Sequence, residues 1–107
     1  MEIIFYVEGE TLVAALSGEI DHHVAGRLRQ DIDGEMTLCG TKDLVFDFTN
    51  VEFMDSSGIG MVLGRYKRVS QYGGSVTIRN ADRLVKQILD MSGVFTLMSY
   101  EDTRGEE

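Results

Sequence analysis

Apolar positions recur along this chain with two alternating periods. Ile3-Ile4-Phe5-Tyr6-Val7 is a β-branched and aromatic run, and Thr11 to Leu16 is a second apolar run. Glu8-Gly9-Glu10 between them predicts a turn, so the two runs read as a hairpin whose second strand closes at Ser17-Gly18. From Asp21 the period lengthens. Val24, Leu28, Ile32 and Met36 recur at helical spacing behind an Asp suited to a helix N-cap, and Gly34 and Gly40 bracket the fraying end. Leu44-Val45-Phe46-Asp47-Phe48 is short and nearly all apolar, the pattern of a strand covered on both faces. A helix from about Ser57 to Tyr72 follows and is stopped by Gly73-Gly74. Ser75-Val76-Thr77-Ile78 predicts the next strand. Asn80 or Ala81 then opens a helix with Leu84, Val85, Ile88 and Leu89 inward, which ends at Ser92-Gly93, and Phe95 to Met98 predicts a last short strand.

The predicted order is β-β-α-β-α-β-α-β. Strands alternating with helices imply an α/β fold, a mostly parallel sheet joined by right-handed crossovers, with the hairpin at its start. The 107 residues suffice for one small domain with one core. Residues 1–100 form that domain, and 101–107 read as a polar, acidic, loose tail.

One stretch has more chemistry than its secondary structure needs. Phe53-Met54 runs into Asp55-Ser56-Ser57, then Gly58, Ile59 and Gly60. Ile59, Val62, Leu63, Tyr66 and Val69 form one face of the helix that follows. Taken alone, Asp-Ser-Ser is a helix cap, but a cap needs one short polar residue and three stand here. Gly58 and Gly60 each weaken a helix by about 1 kcal/mol relative to Ala. Bare backbone at a helix start suits close approach by a phosphate or another protein. The stretch therefore reads as a contact surface with an exposed hydroxyl at its centre. Met61 falls off the apolar face. An exposed Met beside Gly60 and Gly64 suits an adaptable binding surface, and the two glycines make a shallow stripe for a partner's backbone. Met36, Met54, Met91 and Met98 fit buried positions.

Charge narrows the partners. The net charge is −8, of which −3 falls on residues 101–107. An acidic body repels nucleic acid and anionic membrane, leaving proteins with basic or mixed surfaces as the expected partners. No apolar run approaches the roughly 20 residues of a membrane span, and no basic segment precedes an apolar one at the start as in a secretory signal. The one cysteine, Cys39, fits a reducing cytosol and reads as a loop or packing residue, since nothing near it in sequence lowers its pKa.

No catalytic set assembles. Ser56 lacks the Gly-x-Ser-x-Gly elbow of a hydrolase, and the only histidines, His22 and His23, sit together at a helix start. Cys39 is too remote in sequence to complete a metal site with them, and no phosphate-cradling Gly-x-x-x-x-Gly-Lys occurs, so no metal or cofactor is expected. Asp21 reads as a cap and Asp47 as a polar residue paired near a strand end. Asp21, the Asp47–Asp55 segment and Asn80 all fall at or past strand ends, where parallel α/β sheets place their sites, and are expected to gather on one surface. An Asp after the third strand also fits receiver domains, phosphorylated on such an aspartate. Those need an acid pair after the first strand and a lysine after the last, but Val7-Glu8-Gly9 follows here and no lysine comes after Lys86.

Met54-Asp55-Ser56-Ser57-Gly58-Ile59-Gly60 resembles the phosphorylation-site motif of the anti-sigma factor antagonists of the STAS-domain family. Gly18-Glu19-Ile20-Asp21-His22-His23, Leu63-Gly64-Arg65-Tyr66-Lys67 and Asp90-Met91-Ser92-Gly93-Val94-Phe95 fit the same family in the same order. The His22-His23 pair and Gly64-Arg65-Tyr66-Lys67 resemble its sporulation branch in particular, with the general-stress branch as the alternative. The resemblance implies a binding module and not an enzyme. The unphosphorylated form would bind an anti-sigma factor that is also a serine kinase of the histidine-kinase-like ATPase fold, and so release a sigma factor in the cytoplasm. Phosphorylation on Ser56 would end binding, and a metal-dependent serine phosphatase would reset it, with Ser57 a supporting cap. The partner-binding surface implied is Asp21, His22, Asp55, Ser56, Ser57, Gly58, Ile59, Gly60, Met61 and Gly64. The family adds a helix after the last strand, and this sequence is too short for a full one.

Overall fold

The computed structural model describes residues 2–104. Its elements are β1 (Glu2–Glu8), β2 (Thr11–Ile20), α1 (His22–Cys39), β3 (Asp43–Met54), α2 (Ser56–Gln71), β4 (Val76–Arg79), α3 (Arg83–Met91) and β5 (Ser99–Glu101), with a single 3-10 turn at Val94–Thr96. The five strands lie side by side in chain order. β1 runs antiparallel to β2, and every later pair is parallel.

That order fixes where the helices go. Each crossover from β2 onward steps to the next strand in the same direction, and right-handed crossovers that always step one way leave all their helices on one face. Alternate strand residues accordingly join the helix residues in one core: Leu12 and Leu16 from β2, Phe46 and Phe48 from β3, Ile78 from β4, against Leu28, Ile32, Val62 and Leu89. The third strand is buried on both faces over Leu44–Phe46, as its apolar run predicts, but helices cover only one of them. Val45 is buried on the opposite side, in a row with Val13 and Thr77 that no described helix covers. There Arg79 of β4 pairs with Glu101 of β5 at 2.6 Å and Glu8 of β1 at 3.4 Å, tying the two edges of the sheet together.

Two strands outrun their predicted ends. Ser17-Gly18 does not close β2. The register shifts between Ala15 and Ser17 and again between Gly18 and Glu19, and Gly18 takes φ +88°. Such irregularities add twist without ending a strand, so β2 continues to Ile20, opposite Met54 of β3. β4 pairs with β3 only up to Asp47–Arg79. Beyond that row β4 is left behind, and beyond the Glu2–Ser17 pair β2 and β3 project as a two-stranded arm.

The C-terminal third departs most from its prediction. Asp82, not Asn80 or Ala81, caps α3, its carboxylate accepting from Val85 N at 2.9 Å. Asn80 instead sits buried at φ +61°, a conformation its short polar side chain tolerates. It donates to Thr103 Oγ1 (2.9 Å) and accepts from Thr103 N (2.7 Å). The last strand lies at Ser99–Glu101 and not at Phe95–Met98, because Val94 and Met98 are buried from within a turn opened by Gly93 at φ +77°. The tail expected from residue 101 starts later. Glu101 is in β5, and Arg104 donates to Ala81 O and pairs with Asp102. The remainder of that tail, 105–107, lies outside the described residues. On the helices, Val24 and Met36 are half-buried, Leu84 is half-exposed, and Met91, expected inside, is 87% exposed.

Candidate functional site

The projecting arm delivers two helix starts to one place. Ile20 and Met54 are paired at its tip, Asp55 N donates to Ile20 O at 3.2 Å, and the next residues begin α1 and α2. Asp21 and Asp55 do the same job on neighbouring helices. Asp21 Oδ1 accepts from His23 N at 2.9 Å, and Asp55 Oδ1 accepts from Ser57 N at 2.8 Å and Gly58 N at 3.3 Å. Each carboxylate pairs first-turn N–H groups that the helix cannot pair itself and meets the positive end of the helix dipole.

Asp55 is therefore the cap of α2, and the role expected of Ser57 is corrected: Ser56 and Ser57 are its first two helical residues. They point different ways. Ser56 is exposed and borders a cleft toward α3 formed with Phe53, Ile59, Ile88 and Met91. Ser57 is half-buried and borders a groove between α1 and α2 whose floor is Ala25, Gly26, Gly60, Met61 and Gly64.

The glycines divide by role. A Cβ on Gly58 would lie 3.0 Å from Met54 Cβ and 3.3 Å from Ile20 O, so its bare backbone faces the arm and not a partner. Gly60 and Gly64 have open space where a Cβ would be, as a stripe for a partner requires. Met61 is buried, 5% exposed, against the expectation of an exposed side chain; it plugs the α1–α2 seam and shows only a groove wall. Ile59 is likewise buried at the cleft's base. Gly58, Ile59 and Met61 are thus buried, whereas Asp21, His22, Asp55, Ser56, Ser57, Gly60 and Gly64 are exposed or half-buried, Asp55 and Ser56 on the cleft and Ser57, Gly60 and Gly64 on the groove. His22 and His23 are exposed at the start of α1, ring centroids 4.0 Å apart.

Asn80 does not join this group. It follows Arg79, level with Asp47, seven residues short of Met54. Asp47 faces away from the core and accepts from Thr49 N at 3.0 Å and Thr49 Oγ1 at 2.6 Å, inside its strand and not at the end of it.

Sequence reasoning missed Arg65 and the α2–α3 cleft. Arg65 is 7% exposed and lies between the helices, its Nε 2.7 Å from Asp33 Oδ1 of α1. The N–H is directed away from that oxygen, so the contact is a charge pair more than a hydrogen bond. Burial lowers the Arg65 pKa, and Asp33 opposes that shift. Arg65 thus ties α1 to α2 behind the groove. The signal for the cleft was there to be read: Leu84, Ile88 and Met91 form a second apolar stripe on α3, beside the inward Val85 and Leu89. Cys39 is exposed, and lost hydration and the Glu35 carboxylate push its thiol pKa up, against a nucleophile. No group of metal-binding side chains occurs among the described residues, and no described helix is long and apolar enough to cross a membrane.

Known proteins share both this sequence pattern and this shape. The STAS domain model matches residues 2–107. An anti-sigma F factor antagonist of Paenibacillus polymyxa is 40% identical over 91 residues, 85% of this chain and 78% of that protein. The anti-sigma factor antagonist SpoIIAA in its unphosphorylated form superposes with a TM-score of 0.81 at 30% identity, covering 94% of this chain and 88% of that one. The phosphorylated form of the Bacillus cell fate determinant SpoIIAA gives 0.73 at 29% identity, covering 94% and 91%. With the motif at the head of α2, the one-sided sheet and a match along its length, this chain belongs to the STAS domain family.

Proposed function

We propose that this chain is an anti-sigma factor antagonist, a binding module switched by phosphorylation of Ser56. The observation that carries the reading is Ser56 itself, an exposed hydroxyl on the first residue of α2, beside the capping Asp55, at the tip where two helix starts meet. The relatives named anti-sigma F factor antagonists supply the kind of partner. The unphosphorylated surface of Asp21, His22, Asp55, Ser56, Ser57, Gly60 and Gly64 docks on an anti-sigma factor that is also a serine kinase, and a sigma factor is freed in the cytoplasm. The kinase transfers phosphate to Ser56, the complex parts, and a metal-dependent serine phosphatase restores the hydroxyl. The chain itself performs no catalysis.

Incubation with an anti-sigma F factor and ATP tests this. One phosphate should enter, on the peptide bearing Ser56 by mass spectrometry, and the modified chain should no longer co-elute with the anti-sigma factor. The chain alone should neither hydrolyse esters nor label itself from acetyl phosphate. Labelling that disappears in Asp47→Asn would support a receiver-type phospho-aspartate instead.

A further inference from the structure

Ser56 stands on the lip of an apolar cleft that no part of the described chain fills. Phe53 at the end of β3 is 41% exposed and Met91 at the end of α3 is 87% exposed; Ile59 and Ile88 form the base between them. Large apolar side chains left this open, beside a phosphate acceptor, call for a covering partner, and a flexible thioether suits an anchor that must adapt. The electrostatics say which kind. The one charged residue lining the cleft is Asp55, and the chain neighbours of Phe53 and Met91 add Glu52 and Asp90, so the cleft has an apolar centre with acids and no Lys or Arg in its lining. The groove on the other side of α2 is unlike it, bordered by Arg29 and Arg65.

We propose that this cleft receives an apolar side chain from a segment of the anti-sigma factor flanked by Lys or Arg, anchoring the partner directly over Ser56. This rests on the reading of the chain as an antagonist and deepens it. An acidic second copy of the chain is repelled by such a lining, whereas a basic segment is attracted to it and aligned by it. The anchor holds Ser56 toward the kinase's nucleotide. Once phosphorylated, the same serine brings about −1.5 to −2 charges to the edge of the apolar contact, next to Asp55. The cleft is then desolvated at a high cost and the anchor leaves.

Met91 is suited to the test because its exposure separates binding from folding. Titration calorimetry against an anti-sigma F factor, with ADP replacing ATP so that no phosphate moves, compares wild type with Met91→Glu, Met91→Lys and Leu38→Glu. Leu38 is 80% exposed on α1, outside the cleft. Thermal melts of all four should agree within a few degrees. Met91→Glu should weaken binding about tenfold and Met91→Lys more than that, since Lys meets a basic partner, with Leu38→Glu within twofold of wild type. Ile88→Ala, which trims the base without adding charge, should weaken binding severalfold. Wild-type affinity in both Met91 variants, with wild type binding and accepting phosphate normally, overturns the cleft and leaves the antagonist reading standing. Met91→Glu binding worse than Met91→Lys overturns the basic segment. Wild type that does not bind overturns both readings. A concentration-dependent dimer of wild type that Met91→Lys dissolves assigns the cleft to self-association instead.

Discussion

Ser56 and Ser57 are adjacent and chemically equal, yet the structure gives them different surroundings. Ser56 lies exposed on the cleft side and Ser57 half-buried on the groove side, while Asp55 supplies the cap. Ser56→Ala should therefore abolish phosphorylation and leave anti-sigma factor binding within a few-fold of wild type, because only a small exposed hydroxyl is lost. Phosphopeptide mapping after incubation with kinase and ATP checks this, and normal stoichiometry at Ser57 would defeat the assignment. The cap predicts separately. Asp55→Ala should lower stability by about 1 kcal/mol in denaturant melts, the usual cost of a lost N-cap, where Ser57→Ala should cost less because its side chain caps nothing. Asp102 gives a further residue-scale test. The Arg104 guanidinium and then the Arg104 N–H hold its carboxyl down to about 2 from 3.8. A depressed carboxylate stabilises the fold above its unfolded pKa, and that contribution disappears as pH falls from about 4 through 2. NMR titration should find Asp102 near 2, and Arg104→Ala should return it toward 3.8.

At the scale of elements, α2 is built from opposed demands. A helix of good formers would be more stable, yet Gly58 and Gly60 lie in its first turns and Gly64 in its middle. Gly58 is held by packing, since its absent Cβ leaves room for Met54 and Ile20. Gly60 and Gly64 meet nothing, so Ala at either should raise stability by roughly 0.5–1 kcal/mol through helix propensity. The same methyl stands where a partner's backbone is proposed to lie, so each variant should melt higher and bind the anti-sigma factor more weakly. Higher melting with unchanged binding would remove the stripe from the docking surface. This conflict made α2 legible from the sequence: three polar residues and two glycines exceed what a cap requires. Strand order, the hairpin and the Asp21 cap were legible for a similar reason, as local patterns with one dominant period. What escaped depended on distant parts of the chain. Nothing near Gly18 tells that β2 pairs on past its bulges with Asn50–Met54. Apolar spacing alone cannot tell that Met61 turns into the α1–α2 seam while Met91 turns out. Phe95–Met98 has a strand's composition but packs as a turn, because Gly93 redirects the chain first. Arg65 meets Asp33 only because α1 packs beside α2, which no local pattern around it tells.

The whole molecule is a one-sided sheet, and the proposed phosphorylation site lies on an extension of it. The core is shared by all three helices and the strands behind them, whereas Ser56 sits past the tip of the β2–β3 arm, beyond the last row of β4. A phosphate there finds the positive end of α2, worth about 0.3–1 kcal/mol, and the neighbouring Asp55, which opposes it. Neither is large enough to repack a core in which Leu12, Phe46 and Phe48 are fully buried. The chain superposes on SpoIIAA in its unphosphorylated and its phosphorylated form, as it would if the fold persists while the surface changes charge. The expected consequence is a local footprint. In amide correlation spectra, phosphorylation of Ser56 should shift residues of the arm tip, the first turns of α1 and α2, and the cleft wall near Ile88 and Met91. Residues of β1, β4 and β5 should stay in place. Ser56→Asp carries one negative charge and fewer acceptor oxygens, so it should fold normally, reproduce part of that footprint and bind the anti-sigma factor much more weakly than wild type. Ser56→Asn, of nearly the same shape without the charge, should keep more of the binding. Equal losses in the two variants would make steric fit the operating term, and shifts spreading into β1 and β5 would replace the local charge switch with a rearrangement of the sheet.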